Sequence, residues 1–119
     1  MGLAIKESGP MRRIPVDVRG LEFRAVDDIA PKLKNRQTGE VKTNAAGVPV
    51  YELMVTVKGE GRRAELMSVS LPTHTPPDVR AGQLVRFEGL TGFFWESAGR
   101  AGVSFSAVAV EPVPEGAAV

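Results

Sequence analysis

The sequence has no cysteine, which excludes disulfides, thiolate zinc sites and thiol nucleophiles. It has one histidine, His74, and therefore no second histidine to complete a metal site with it. It also lacks a long apolar stretch: the run from Leu3 to Ile5 is too short for a signal peptide or a membrane span. A chain of this composition suits a reducing compartment, so we expect a cytoplasmic protein with no membrane partner.

Constellations typical of catalysis are also missing. The serines of the predicted strands have no nucleophile elbow and no nearby base to activate them. The pair Gly59 and Gly61 lacks the lysine and the helix start of a phosphate-binding loop, so it predicts a turn. Asp27 and Asp28 are interpreted as a solvated strand end, with a cation site as the alternative. We therefore expect no catalytic residue, no metal and no cofactor, and the chain is not predicted to be an enzyme.

What the sequence does contain is the pattern of a small β protein. Its 119 residues are about one domain, and Gly and Pro recur between segments that alternate or are β-branched. The clearest alternation, Val48 to Val57, is followed by a hairpin turn and a returning strand. The predicted strands are Ile14–Val26 with a bend at Gly20, Val48–Val57, Ala64–Leu71, Gly82–Leu90 with an aromatic extension through Trp95, and Gly102–Val110.

These segments predict an all-β fold, a five-stranded Greek-key OB-like barrel with little or no helix. The first connection, 27–47, is long and polar, with room for a hairpin arm, and prolines limit any helix before the fourth strand to about one turn. A seven-stranded sandwich is the alternative. The predicted domain covers 12–111, and the tails 1–11 and 112–119 are predicted to be disordered.

Charge is distributed unevenly although the net charge is only +1. The first 31 residues balance, and the last third carries more acidic than basic side chains. The middle third carries the excess of positive charge. Its basic residues are Lys32, Lys34, Arg36, Lys42, Lys58, Arg62 and Arg63.

A resemblance enters with the glycine-bounded strand in Val79–Gly89, which looks like a strand common in single-strand-binding OB proteins. Together with Arg12–Val18, Thr38–Glu40, Phe93–Trp95 and Gly102–Phe105, it makes nearly the whole chain resemble small proteins of actinobacterial plasmids and integrative conjugative elements. The chain is similar in layout, though not in motif, to filamentous-phage single-strand-binding proteins and to auxiliary replication factors of conjugative elements. The resemblance implies a role in replication or transfer of a mobile element, with proteins of those processes as partners.

Basic and aromatic side chains occur together, as in sequence-tolerant binders of single strands. Phe23, Phe87 and Phe105 occupy core-compatible positions, whereas three consecutive aromatics in one strand cannot all face a core. We predict binding of single-stranded nucleic acid, DNA in the first place and RNA as the alternative. The predicted stacking residues are Tyr51, Phe94 and Trp95, and the predicted phosphate contacts are Lys32, Lys34, Arg36, Lys42, Arg62, Arg63 and Arg100.

A second function remains open: a protein-interaction or assembly module that docks another chain through the aromatic run and an exposed strand edge, without nucleic acid. In either case, free edge strands and the gain from joining two weak sites predict a homodimer.

Overall fold

A computed structural model describes residues 13–115, so the predicted tail 1–11 lies outside the described residues. Every regular element in this range is a β-strand, which confirms the predicted all-β class. With no helix in residues 13–115, none there is long and apolar enough to cross a bilayer. The strands are β1 Arg13–Pro15, β2 Leu21–Ala25, β3 Ala30–Pro31, β4 Leu33–Asn35, β5 Glu40–Val41, β6 Val50–Gly59, β7 Glu65–Pro72, β8 Leu84–Glu88, β9 Thr91–Ser97, β10 Arg100–Ser106 and β11 Ala109–Val113.

The β6–β7 hairpin is the longest antiparallel ladder of the molecule, as the alternating sequence predicts. It runs from the pair Val50 and Pro72 to the pair Val57 and Glu65. Leu53 is buried opposite Val69, while its chain neighbours on each side are half-buried. One face of the hairpin is therefore core, and strand β2 continues the sheet along the other edge of β6.

Three of the predicted strands are each divided into two segments. The first is divided into β1 and β2 by a turn that ends at Gly20, whose φ of 76° suits glycine. The fourth and fifth are divided at facing positions, where Gly89 lies against Val108. A Cβ at Gly89 would stand 2.6 Å from Val108 Cγ2, so the close approach and the φ of 65° both require glycine there. A sheet that bends at these points can curl.

The main sheet is mixed and follows the order β1-β9-β10-β7-β6-β2-β8-β11, with β3 added to β6. It is not closed, because β1 and β11 stand at the two ends of this path. The predicted first and fourth strands pair through both of their segments, β1 with β9 and β2 with β8. The predicted fifth and fourth strands do the same, β10 with β9 and β11 with β8. The parallel contact joins β7 to β10 over only two residue pairs.

The core lies within the curl of this sheet. Phe23 and Phe87 meet edge to face with ring centroids 5.1 Å apart, and Phe105 packs against the same cluster, as the sequence predicts. The proline-rich connection contributes Val79, which is 1% exposed and belongs to this core. Its neighbours are held by Asp28, whose Oδ1 accepts from the Ala81 amide at 2.8 Å. Asp28 is exposed at the end of β2, as predicted, and also anchors this connection.

The long first connection is an ordered hairpin arm, residues 32–44, built from β4 and β5. Asn35 Oδ1 accepts from the backbone amides of Gln37 and Thr38 and so closes the turn. Backbone bonds from Lys32 N to Val50 O (2.9 Å) and from Val50 N to Lys42 O (2.9 Å) tie the arm to β6. The arm therefore leaves the sheet at the start of β6.

Strand β11 extends past the predicted domain boundary at 111. It includes Pro112 and Val113, and the Val113 side chain is buried. Glu115 accepts from Arg24 Nη1 at 2.9 Å, and the same nitrogen donates to the Gly82 carbonyl at 2.7 Å. Residues 112–115 are thus ordered on the sheet, and the rest of the predicted tail, 116–119, lies outside the described residues.

Candidate functional site

A groove of about 440 Å³ opens where strands β7 and β10 separate. The two strands are parallel and pair only at Val69 with Phe105 and Ser70 with Ser106. Towards their first residues they diverge, and the groove occupies the space between them and across the adjoining face of β6. Its lining residues are Lys32, Glu52, Val57, Glu65, Leu66, Met67, Ser68, Ser70, Val103, Ser104 and Phe105.

The outer face of this region is rich in hydroxyl groups. Because Val69 is buried and faces the core, its neighbours Ser68 and Ser70 face outward, and the same alternation places Ser104 outward on β10. Ser68 Oγ donates to Glu52 Oε2 at 2.6 Å across the β6–β7 hairpin. The groove therefore combines hydrogen-bonding groups, held at fixed positions on strands, with the apolar side chains of its lining.

Aromatic rings extend this outer face along the β9–β10 hairpin. Trp95 stands opposite Gly102, and a Cβ at Gly102 would lie only 2.7 Å from Trp95 Cζ2. Glycine therefore allows the half-buried indole to lie over the neighbouring strand. Phe93 shares the face of Trp95, since the two are two residues apart, and the Arg13 guanidinium carbon lies 5.2 Å from its ring centroid.

Lysines gather at one end of the groove. Lys32, Lys34 and Lys42 line a shallow depression on the arm, and Lys32 also lines the groove itself. The Lys42 amide donates to the Lys32 carbonyl at 2.8 Å, which holds these two residues side by side. Lys34 has a weak ion pair with Glu40 at 3.9 Å, and both side chains are exposed. Three of the predicted phosphate contacts are thus brought together.

Arginines stand at the opposite end. Strands β7 and β10 are parallel, so the two hairpin turns that precede them lie at the same end of the sheet. Arg62 and Arg63 occupy one turn, and Arg100 follows the other. Lys58 Nζ donates to the Arg62 carbonyl at 2.7 Å and so stabilises the first turn. At about 3.3 Å per residue, the eight residues of β7 separate the arginine end from the lysine end by roughly 23 Å.

Not every predicted site residue joins this surface. Tyr51 is half-buried opposite Leu71, on the core side of β6 by alternation, and it does not line the groove. Phe94 is 41% exposed but faces away from Trp95 and stands opposite Val103. Arg36 lies in the turn of the arm, beyond the lysine depression. The structure therefore separates the three predicted stacking residues from one another.

Several residues of the groove and of the aromatic face beside it were not predicted from the sequence. Phe93 could have been found, because residues two apart in a strand share a face and Trp95 was already a candidate. Glu52 and Ser68 were not predicted as site residues, because their meeting depends on the register of the hairpin. Arg13 joins the site through the pairing of β1 with β9, for which the sequence contains no local signal.

Several charged side chains away from the groove form exposed ion pairs. Arg19 donates to both carboxylate oxygens of Asp17, with the shortest contact at 2.6 Å, and these hydrogen bonds lower the pKa of Asp17 to about 2. A depression of about 480 Å³ over β8 and β11 is lined by Arg86 together with Glu88 and Glu111. His74 is exposed in the proline-rich connection.

Comparison of the chain with known protein families, with curated proteins and with solved structures gave no significant match. The resemblance to proteins of actinobacterial mobile elements therefore stays a prediction from the sequence.

Proposed function

We propose that this protein binds single-stranded nucleic acid, DNA in the first place, in the groove between β7 and β10. The observation that carries the proposal is the distribution of charge along the groove. Lysines of the arm lie at one end and arginines of two hairpin turns at the other, with hydroxyl groups and the carboxylates of Glu52 and Glu65 between them. Basic side chains at the two ends of the groove suit the phosphates of an extended strand, while its bases lie towards the floor.

The aromatic rings next to the groove support the same function. Trp95 and Phe93 share the outer face with Ser104, so bases of a bound strand can reach both rings. Stacking of a base on an aromatic ring contributes about 1–3 kcal/mol and tolerates any sequence. The Arg13 guanidinium beside Phe93 adds a positive charge to this aromatic end.

We also propose that the sheet is an OB-like barrel. The segments can be counted as five strands: β1 with β2 is the first, β6 the second, β7 the third, β8 with β9 the fourth, and β10 with β11 the fifth. Around the sheet, neighbouring strands then follow the order first, second, third, fifth, fourth, first. Proteins of that architecture bind oligonucleotides across their second and third strands, between the loops that follow the first and the fourth. Here those elements are β6 and β7, the arm and the β9–β10 turn, which surround the groove.

We further propose that the protein acts in replication or transfer of a mobile element, with proteins of those processes as partners, and that it is a homodimer. The first two are supported by the resemblance described above. The dimer is supported by the outer edges of strands β1 and β11, which no other strand of residues 13–115 pairs with at the ends of the sheet path.

Fluorescence anisotropy tests the proposed ligand. A labelled DNA strand of about 15 nucleotides is titrated with protein, and Trp95 emission is followed in parallel. We expect binding that weakens as salt rises and that quenches Trp95, and an RNA strand of the same sequence measures the preference between the two. Trp95→Leu should weaken binding, whereas the matched control Phe94→Leu, on the opposite face, should not. Absence of an anisotropy change at low salt would refute nucleic-acid binding.

One observation favours the alternative function, a protein-interaction module. Where β7 and β10 diverge, the backbone edges that face each other are not paired between these two strands. Leu66 and Val103 beside these edges are 65% and 53% exposed. An extended segment of another chain could add to such an edge. Light scattering after gel filtration, at low and high salt, measures self-association: a dimer that persists at high salt and is broken by Val103→Lys, together with no DNA binding, would favour this function.

A further inference from the structure

The floor of the groove carries a negative charge beside a positive one, and this combination selects among bases. Glu52 Oε2 is held by the Ser68 hydroxyl at 2.6 Å, and the Glu52 side chain is half-buried. Lys32 lines the same groove, yet no ion pair within 4.0 Å joins it to Glu52 in the part of the chain that the structure describes. An acceptor and a donor thus line the same groove without an ion pair between them.

A carboxylate on the floor disfavours phosphate there, because like charges repel and the groove is partly shielded from water. A bound strand therefore keeps its phosphates near the basic ends of the groove and turns its base edges towards Glu52. Single-stranded bases are commonly read through their exposed Watson–Crick edges. The specificity of the groove is then decided by which edge complements a fixed carboxylate next to an ammonium group.

Guanine complements this pair better than the other bases. Its N1–H and N2 amino groups are adjacent donors for a carboxylate, and its O6 is an acceptor for a lysine. Thymine and uracil have a single N–H flanked by two carbonyl oxygens, which a carboxylate repels. Adenine and cytosine each have one amino group beside a ring-nitrogen acceptor, so they lack the second adjacent N–H donor that guanine offers to the carboxylate.

We propose that Glu52 and Lys32 form a guanine-selective position within the groove. This inference rests on the proposed function, because it needs a bound single strand. It goes further in naming the base and the two side chains that read it. A good pair of hydrogen bonds to a base edge typically discriminates by about tenfold or more, so a preference of that size is expected.

The test compares thymidine oligonucleotides that carry one guanine or one hypoxanthine at a central position. Hypoxanthine differs from guanine only in lacking the N2 amino group, so their ratio isolates the contact with the carboxylate. We expect the guanine strand to bind about tenfold more tightly than the all-thymidine strand, with most of this gain lost in the hypoxanthine strand.

Glu52→Gln should bring the guanine-to-hypoxanthine ratio to within about twofold, since an amide lacks the second acceptor oxygen and the charge. The control Glu88→Gln changes the same chemistry on strand β8, outside the groove, and should preserve the ratio. A circular dichroism spectrum and a melting temperature like those of the wild type show that the Glu52→Gln variant is folded. Lys32→Met should lower the preference for guanine over thymidine without abolishing the effect of the N2 amino group.

The outcomes separate this inference from the function on which it rests. Equal binding of all three strands by the wild type, or a ratio that survives Glu52→Gln, would overturn guanine selection and leave single-strand binding standing. If none of the strands binds, the proposed function itself fails.

Discussion

The lysine depression on the arm makes a quantitative prediction about salt. Replacing Lys32, Lys34 and Lys42 by glutamine removes the positive charge at one end of the groove without changing the strands that hold it. In single-stranded nucleic acid, each phosphate contact contributes about 0.7 to the slope of log affinity against log salt. Three lost contacts should therefore reduce the slope by about 2.

The size of the effect follows from that slope. Between about 50 and 200 mM salt, a slope difference of about 2 corresponds to a roughly 16-fold difference in affinity loss. The wild type should therefore lose about 16-fold more affinity than the triple variant over this range. Anisotropy titrations at four or more salt concentrations measure both slopes directly.

The matched control replaces three arginines outside the groove, Arg19, Arg80 and Arg86, by glutamine, and so removes the same net charge. We expect this variant to keep the wild-type slope, because its charges lie too far from the bound phosphates at moderate salt. Equal slopes for the wild type and the lysine variant would refute the assignment of the arm as a phosphate-binding element. Equal reductions in both variants would show a general charge effect.

Three further predictions concern the fold around the site. Gly102→Ala places a Cβ 2.7 Å from Trp95 Cζ2, so the indole must move. We expect a shift in the emission of the only tryptophan and a loss of about 1 kcal/mol in unfolding free energy. An unchanged emission spectrum would contradict this packing. Val79→Ala empties a fully buried position and should lower the unfolding free energy by about 2 kcal/mol in denaturant titrations; a loss below the error of the fit would show that Val79 does not fill the core. In NMR titrations the Asp17 carboxyl should have a pKa of about 2, which should return towards 3.8 in Arg19→Ala. Because the pKa is depressed in the folded state, the stabilisation from the ionised Asp17 carboxylate is present above about pH 4 and is lost as the pH falls towards 2.

The strands and their turns were predictable because the signals are local. Alternation along β6 depends on residues two apart, and the turn of the arm depends on Asn35 and the amides that follow it. Phe23, Phe87 and Phe105 could be assigned to the core for the same reason. The division of three strands into segments was less accessible, since the break at Gly89 depends on Val108 of a different strand.

The sequence by itself determined that the chain is all-β, where its main hairpins turn, and that basic and aromatic side chains are available for a polyanion. The tertiary structure alone decided which of them share a surface. Whether Trp95 lies over Gly102, and whether Ser68 reaches Glu52, depends on registers between strands. The groove itself exists because β7 and β10, distant in the chain, pair in parallel for two residues and then diverge. Such pairings are set by the packing of the whole core, and no short stretch of sequence encodes them.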